Sequence, residues 1–386
     1  MKRRMLLLSN GMGEDLLGVS LAQAWKAQAP QDTLLALPLV GEGHFYKQAG
    51  IECLPVKFSP PSAGFAYLNP LKLFKDFQAG LGGHLLKARQ VLNQTPLDGV
   101  LAVGDIVVVT YAWQRKLPFA FVGCALSDYY TQGRKNTYDV LQCQMLRQAS
   151  LGIYPRDALT AAGLKIRGLR VEALGNPILD RCEPLKNWNY HPQPGRNRIA
   201  LAPGSRQDAV ANFNDLVHHL EACRERPYDF LLSLAPGIPN YEIQTVLLQS
   251  GWQQQELEKT DRYQKGEMRL YLYTSDYWGA ILNQAEALIG FAGTAHEQAA
   301  GLGIPILTWG REGLQYTPKF AEAQTRLLGP ALTLLTDPHA EIVAWFLNRL
   351  LTEPAYRRAA QTVQAERYGP KGASQRIVKA IRDKLA

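Results

Sequence analysis

The sequence predicts an α/β protein built from two doubly wound domains facing a central cleft. Three observations lead there. Short apolar runs such as Met5–Ser9, Val100–Val103 and Ala287–Ile289 alternate with helix-length stretches, the pattern of a parallel sheet covered on both faces. A glycine turn follows the first run of each half, at Gly11-Met12-Gly13 and at Pro203-Gly204-Ser205. Between the halves, Asn187–Asn197 carries Pro192, Pro194 and Gly195 with little apolar content, as a linker does. The expected division is therefore 1–186, 187–355 and a last helical segment, 356–386, expected to pack back on the first domain.

In chain order, Met5–Ser9 reads as the first strand and Glu14–Ala27 as a helix with Leu17, Leu21, Ala24 and Trp25 on one face. Thr33–Pro38 is a second strand, Phe45–Ala49 a short helix and Ile51–Val56 a third strand. Val100–Val103 and Phe119–Val122 follow as buried strands. Tyr154–Asp157 to Gly175–Ile178 closes the first half. The pattern then restarts: Ile199–Ala202 is a strand, Asn212–Cys223 a helix, and Phe230–Leu234, Leu270–Tyr273, Ala287–Ile289 and Ile306–Leu307 are strands. Glu341–Ala386 reads as helical. Ligands of such sheets bind at the carboxyl ends of the strands.

The bulk properties bound the function. The 386 residues suffice for two or three domains, and 46% hydrophobic with 20% charged content is that of a globular chain. The net charge of +8, from 42 basic and 34 acidic residues, suits an anionic small molecule or an anionic membrane surface. No basic stripe interleaved with aromatics points to nucleic acid, which ranks last. Cys53, Cys124, Cys143, Cys182 and Cys223 are scattered and odd in number, against a disulfide framework or a zinc site and in favour of a reducing compartment. No run approaches the ~20 apolar residues of a membrane-spanning helix. The apolar part of Met1–Ser9 is too short for a signal peptide, with Asn10, Glu14 and Asp15 close behind.

Five loops could carry chemistry. Ser9-Asn10-Gly11-Met12-Gly13-Glu14-Asp15 lacks the third glycine of a dinucleotide loop. It reads either as a substrate loop with Glu14 and Asp15 at the helix start, or as a plain turn whose acids complement the helix dipole. Asp105 ends a buried strand after Gly104. Partial burial would raise its pKa and suit a general base; the plainer reading is a capping aspartate. In Gly204-Ser205-Arg206 the arginine can fork onto a diphosphate, or simply face solvent. Gly293 opens a helix after Ala287–Ala292, which suits a phosphate, with Glu297 placed to grip sugar hydroxyls. Thr294-x-x-Glu297 is equally a capping box. Gln315 could reach sugar hydroxyls, or be a polar loop residue. Phe65 to Leu85 interleaves apolar residues with Lys72 and Lys75, which fits a lipid-facing surface or an ordinary amphipathic helix. The pair His218–His219 carries no metal argument.

Taken together these residues resemble lipid-A-disaccharide synthases and their relatives, inverting glycosyltransferases of the GT-B fold, with two Rossmann-like domains. The resemblance runs from Ser9 to about Gly329. It is strongest at Pro203–Arg206 and at Ala292–Glu297 with Gly303-Ile304-Pro305, and weaker at Gly13–Gly18, Gly104-Asp105 and Gly175-Asn176-Pro177. Gly-Thr-x-x-Glu and Gln315 are also similar to the wider GT-B set, including the N-acetylglucosaminyltransferase of peptidoglycan synthesis. The first loop departs from the synthase pattern Gly-Glu-x-Ser-Gly-Asp, and Ala292 stands where that pattern has serine. The resemblance implies a UDP-sugar donor, a lipid-linked or glycolipid acceptor, no metal and no cofactor. It implies action at the inner, cytoplasmic face of the membrane through peripheral contact with anionic lipid, and it allows a homodimer. By motif, Asp105, Asp15 and Glu14 form the catalytic set. The donor set is Gly204, Ser205, Arg206, Gly293, Thr294, Ala295, Glu297, Gln298 and Gln315. Asn10, Gly11 and Gly13 belong to the acceptor-side loop. A UDP-sugar 2-epimerase of the same architecture and a non-catalytic lipid- or nucleotide-binding relative are the alternatives.

Overall fold

The computed structural model describes residues 2–56, 81–185, 188–205, 207–257, 260–312 and 315–385. The chain divides into two units, Met1–Arg181 with Gly369–Ala386, and Cys182–Tyr368. The changes of unit thus fall at 181/182 and 368/369, against expected boundaries after 186 and after 355.

In the first unit, β1 (Arg4–Ser9), β2 (Thr33–Pro38), β3 (Glu52–Cys53), β4 (Gly99–Gly104), β5 (Phe119–Gly123) and β6 (Gly152–Tyr154) form a six-stranded sheet in the order β3-β2-β1-β4-β5-β6. Every pairing is parallel. The strands are near-continuous apolar runs because helices cover both faces. Met5 to Leu8 in β1 and Val100 to Val103 in β4 are buried. The covering helices are α1 (Met12–Gln28), α2 (His44–Gln48), α3 (Leu81–Gln94), α4 (Ile106–Arg115), α5 (Val140–Leu146) and α6 (Ala158–Ile166). Helix α1 buries Leu17, Leu21, Ala24 and Trp25, the face anticipated from their spacing. The Trp25 indole satisfies its one donor on Asp32, at 3.0 Å.

The chain returns to this unit at its end. The C-terminal helix, Ala373–Leu385, buries Ile377, Val378 and Ile381. The Asp180 carboxylate accepts the Gly372 and Ser374 amides at 2.6 and 2.7 Å, and so satisfies donors that the helix start leaves free. Residues 354–368 do not make this return; they pack within the second unit, where Arg367 donates to the carbonyls of Arg326 and Leu327.

The second unit carries β7 (Asn197–Ala202), β8 (Tyr228–Ser233), β9 (Gln253–Leu257), β10 (Thr260–Lys265), β11 (Met268–Tyr273), β12 (Ala287–Gly290), β13 (Ile306–Trp309) and β14 (Leu332–Leu335). The order is β14-β13-β12-β7-β8-β11-β10-β9. Its helices are α7 (Ala209–His219), α8 (Asn240–Gln249), α9 (Trp278–Gln284), α10 (Gly293–Gly301), α11 (Pro318–Leu328), α12 (Ala340–Thr352) and α13 (Pro354–Val363). One feature departs from the all-parallel expectation: β10 runs antiparallel to β11, and β9 antiparallel to β10. The ribbon's residues are largely polar, so hydrophobic periodicity does not reveal them at a solvated sheet edge. The unit's entry is fastened by Asp229, fully buried on β8, which accepts from Arg196 at 2.7 Å and from the Tyr190 hydroxyl at 2.9 Å.

The parallel strands of each sheet reverse their direction of growth, between β1 and β4 in the first and between β7 and β12 in the second. In the second unit that junction is tight. A methyl group on Gly290 would lie 2.2 Å from the Ala202 carbonyl oxygen, its partner in the ladder. Backbone cannot yield as a flexible side chain does. Gly290→Ala should therefore cost about 3 kcal/mol or more of stability. Denaturant unfolding beside Gly83→Ala, where added bulk meets open space, checks it; equal midpoints would refute this account of the junction.

Candidate functional site

Open α/β sheets bind ligands at the carboxyl ends of their strands, where the strand order reverses. In the first unit that place lies between β1 and β4, and the anticipated loop residues gather there. Asp105 follows β4 as the N-cap of α4, and its carboxylate accepts the Val107 amide at 2.9 Å. Asn10, directly after β1, donates its side-chain amide to both Asp105 oxygens at 3.3 and 3.2 Å. The capping reading of Asp105 is therefore correct, and it coexists with a position at the reversal point. Burial is the main influence on Asp105 and pushes its pKa up; the Val107 and Asn10 donors pull the other way.

Glu14 and Asp15 part company at the start of α1. Glu14 is half-buried and lies over Gly104 and Gly11: a Cβ on Gly104 would come within 3.2 Å of its Cγ, and one on Gly11 within 2.6 Å of its Oε2. Gly13 faces open space. Asp15 instead turns inward and is 3% exposed. The Ser9 hydroxyl donates to it at 2.5 Å, and the Tyr46 hydroxyl donates to Ser9 at 3.1 Å. Gly18 makes room for this chain, since a Cβ there would fall 1.9 Å from the Tyr46 oxygen. Burial raises the Asp15 pKa to about 7; the Ser9 hydrogen bond opposes this and the nearby Glu14 charge adds to it.

In the second unit the reversal point lies between β7 and β12. Gly204 turns the chain after β7 at φ +104°, a conformation that suits glycine. A Cβ there would lie 3.4 Å from the Phe291 carbonyl oxygen, just beyond β12. The turn is held by Asn212, which is buried and donates to the Pro203 carbonyl at 2.8 Å. Ser205 is exposed, and Arg206 lies outside the described residues.

Helix α10 begins at Gly293 with Ala292 as its N-cap and no side-chain cap. This overturns the capping-box reading of Thr294 and Glu297, because Thr294 is the second helical residue and cannot serve as the N-cap. Thr294 is exposed, and Ala295 and Glu297 are half-buried. The amides of the first turn therefore have no intrahelical partner and no side-chain acceptor from the cap, while the dipole puts positive potential there. Gln298, assigned to donor contact by motif, is instead 7% exposed, and it accepts the Trp278 indole N–H at 2.8 Å.

The loop after β13 completes the group. The Gln315 amide donates to the Asp208 carboxylate at 3.0 Å, tying this loop to the one after β7. Arg311, which the sequence reading missed, packs over Phe291 at 5.3 Å and pairs with Asp215 at 3.0 Å. Asp215 also accepts the Trp309 indole N–H at 2.9 Å. A cation one residue beyond a Trp-Gly strand end was the available signal. Beneath the loops, His296 is fully buried and contacts the Tyr316 hydroxyl at 3.2 Å. Burial lowers its pKa to about 3, which favours the neutral imidazole. Most of the expected lipid-facing stretch, residues 65–80, lies outside the described residues. Among the described residues no cluster of His, Cys, Asp and Glu could hold a metal ion, and no helix is long and apolar enough to cross a membrane.

Asp15 makes stability depend on pH. Its folded pKa of about 7 stands above the ordinary 3.8. The folded state therefore holds the proton more tightly, and its advantage is complete below the unfolded value. That advantage is lost as pH rises through about 7, a change on the order of a few kcal/mol. Asp15→Asn should flatten this slope. Thermal midpoints measured from pH 4 to pH 8 check it, and parallel curves for wild type and variant would refute the buried-acid assignment.

No family model matches the sequence, and no curated protein matches it. Solved structures do. A putative UDP-N-acetylglucosamine 2-epimerase from Listeria monocytogenes is 17% identical with a TM-score of 0.60, over 100% of this chain and 97% of that one. CalG4, the calicheamicin glycosyltransferase, is 13% identical with a TM-score of 0.63 over 100% of both chains. TcCGT1, in complex with UDP, is 12% identical with a TM-score of 0.62, again over 100% of both. At such identities the likeness establishes architecture: the chain has two Rossmann-like α/β domains in the layout of the GT-B glycosyltransferases and the UDP-sugar 2-epimerases.

Proposed function

We propose that this protein is an inverting glycosyltransferase that moves a sugar, of the N-acetylglucosamine or acylated glucosamine type, from UDP to a lipid-linked or glycolipid acceptor, in the manner of lipid-A-disaccharide synthases. The observation that carries the donor half is the start of α10. Its uncapped amides sit at the β7/β12 reversal, beside the Gly204 turn and the Arg311 loop. This arrangement suits a diphosphate, and TcCGT1, of the same fold, holds UDP. Glu297, one turn into the helix, grips the ribose hydroxyls.

In this reading Asp105 takes the proton of the acceptor hydroxyl. The freed oxygen attacks the anomeric carbon from the face opposite the phosphate. The bond between that carbon and the diphosphate oxygen breaks, and UDP leaves with the electron pair. The charge developing on the diphosphate meets the fixed amides of α10, which need no rearrangement to stabilise it. Asn10 holds the Asp105 carboxylate in one orientation. Contact with an anionic membrane surface brings the enzyme to its acceptor.

A 2-epimerase is the second reading, favoured by one observation: the fold is shared with a putative UDP-N-acetylglucosamine 2-epimerase over the whole length of this chain. UDP release from a panel of UDP-sugars, with and without membrane lipid extract, separates the two. Lipid-dependent release from one donor supports the transferase, and conversion of the sugar without net transfer supports the epimerase. Calorimetry should show UDP binding that Glu297→Ala weakens by roughly tenfold or more, the loss of a charged hydrogen bond. Asp105→Asn should abolish turnover with UDP affinity unchanged. Absence of UDP binding to the wild type would remove the donor site and leave a non-catalytic relative.

A further inference from the structure

The first unit carries an exposed apolar patch that neither the core nor the strand-end loops use. On α5, Val140 and Leu141 are 67% and 64% exposed; at the end of α6, Ile166 is 88% exposed. Ordinary surfaces scatter such side chains singly. Here the two helices are stitched together by Arg167, which donates to the Tyr138 carbonyl just ahead of α5 at 2.9 Å. Arg147, just after α5, donates back to the Arg167 carbonyl at 3.1 Å. The outward residues of α5 follow helical spacing: Val140, Leu141, Gln144 and Arg147.

The charge around the patch is one-sided. Between residues 129 and 170 the exposed charged side chains are Arg134, Lys135, Arg147, Lys165 and Arg170 against the single acid Asp139. That acid is occupied in capping α5, where it accepts the Gln142 amide at 2.8 Å. The other acid of the stretch, Asp157, is buried, as is Asp128 just before it. Asp128 closes the loop that bears Arg134 and Lys135 by accepting the Thr137 amide at 2.7 Å and its hydroxyl at 2.8 Å. The loop's two cations are thus carried on an anchored turn.

We propose that the outward face of α5 and α6 is where this protein docks on an anionic lipid surface. Branched apolar side chains enter the headgroup boundary while a rim of Lys and Arg meets lipid phosphates. The proposal rests on the membrane contact in the functional reading above and gives it a place, one apart from the Phe65–Leu85 stretch that the sequence suggested. Charge complementarity selects this occupant: five exposed cations against one exposed carboxylate suit a sheet of phosphates.

Vesicle flotation of the full chain tests it, with phosphatidylcholine vesicles alone or mixed with phosphatidylglycerol. The wild type should float with the mixed vesicles and not with the neutral ones, and less so as salt rises. Lys165→Glu with Arg170→Glu should weaken flotation by more than about tenfold, from the loss of two surface cations. Leu141→Ser with Ile166→Ser should weaken it too. All four side chains are exposed, so thermal midpoints and UDP affinity should stay those of the wild type. A wild type that fails to float overturns the proposal, as do variants that float undiminished, which would place any docking on another surface. Loss of UDP binding by the wild type would sink the donor reading while leaving the flotation result to stand alone.

Discussion

Each half of this protein depends on one backbone constraint, the point at which its sheet reverses its direction of growth. At β1/β4 and β7/β12 the following loops cannot both cross the same side of the sheet, so they part and leave a crevice. Where the strands meet, atoms must approach closely. Gly290 sits against Ala202 because no Cβ intervenes, and Gly204 takes the positive φ that turns the chain beside Phe291. The candidate residues inherit their positions from this. Asn10 can reach Asp105 because β1 and β4 are neighbours. The turn at Gly204 lies beside the start of α10 because β7 and β12 are neighbours.

Polar groups beneath the two crevices are fixed by burial rather than by charge pairing. Ser9, Tyr46 and Asp15 form a chain of hydroxyls ending on a carboxyl that no cation among the described residues neutralises, so desolvation dominates and the acid keeps its proton toward neutral pH. His296 shows the converse, an imidazole that burial strips of its proton and sets against Tyr316. Such groups cost stability unless hydrogen-bonded. What they provide is a rigid floor under loops that must hold fixed positions. Asp229 differs: it is fully buried but paired with Arg196, and it anchors the entry to the second sheet.

Much of this was legible from residue order. The alternation of apolar runs and helices yields the strands Thr33–Pro38 and Phe119–Gly123 almost to the residue, because buried parallel strands must be apolar throughout. The buried face of α1 follows from spacing alone. The ribbon of β9 and β10 was not legible, since its pairing serves a solvated edge with polar side chains. Gly152–Tyr154 and Leu332–Leu335 were missed because three or four residues are too few to show a period.

For the candidate sites, the sequence by itself located the strand-end loops in which they lie, because glycine turns and lone acids after apolar strands are local signals. Only the tertiary structure decided what each side chain does there. Glu14 and Asp15 are adjacent in sequence, yet one lies over Gly104 and the other turns into the core beneath Ser9. Thr294 and Glu297 match a capping box by spacing, but the cap falls at Ala292. Gln298 is spent on Trp278, and Arg311 is drawn to Asp215 from a distant helix. The physical reason is common to all of them. Burial and hydrogen-bond partners arise from segments brought together across the sheet, and spacing along the chain carries no record of which partner a side chain will find.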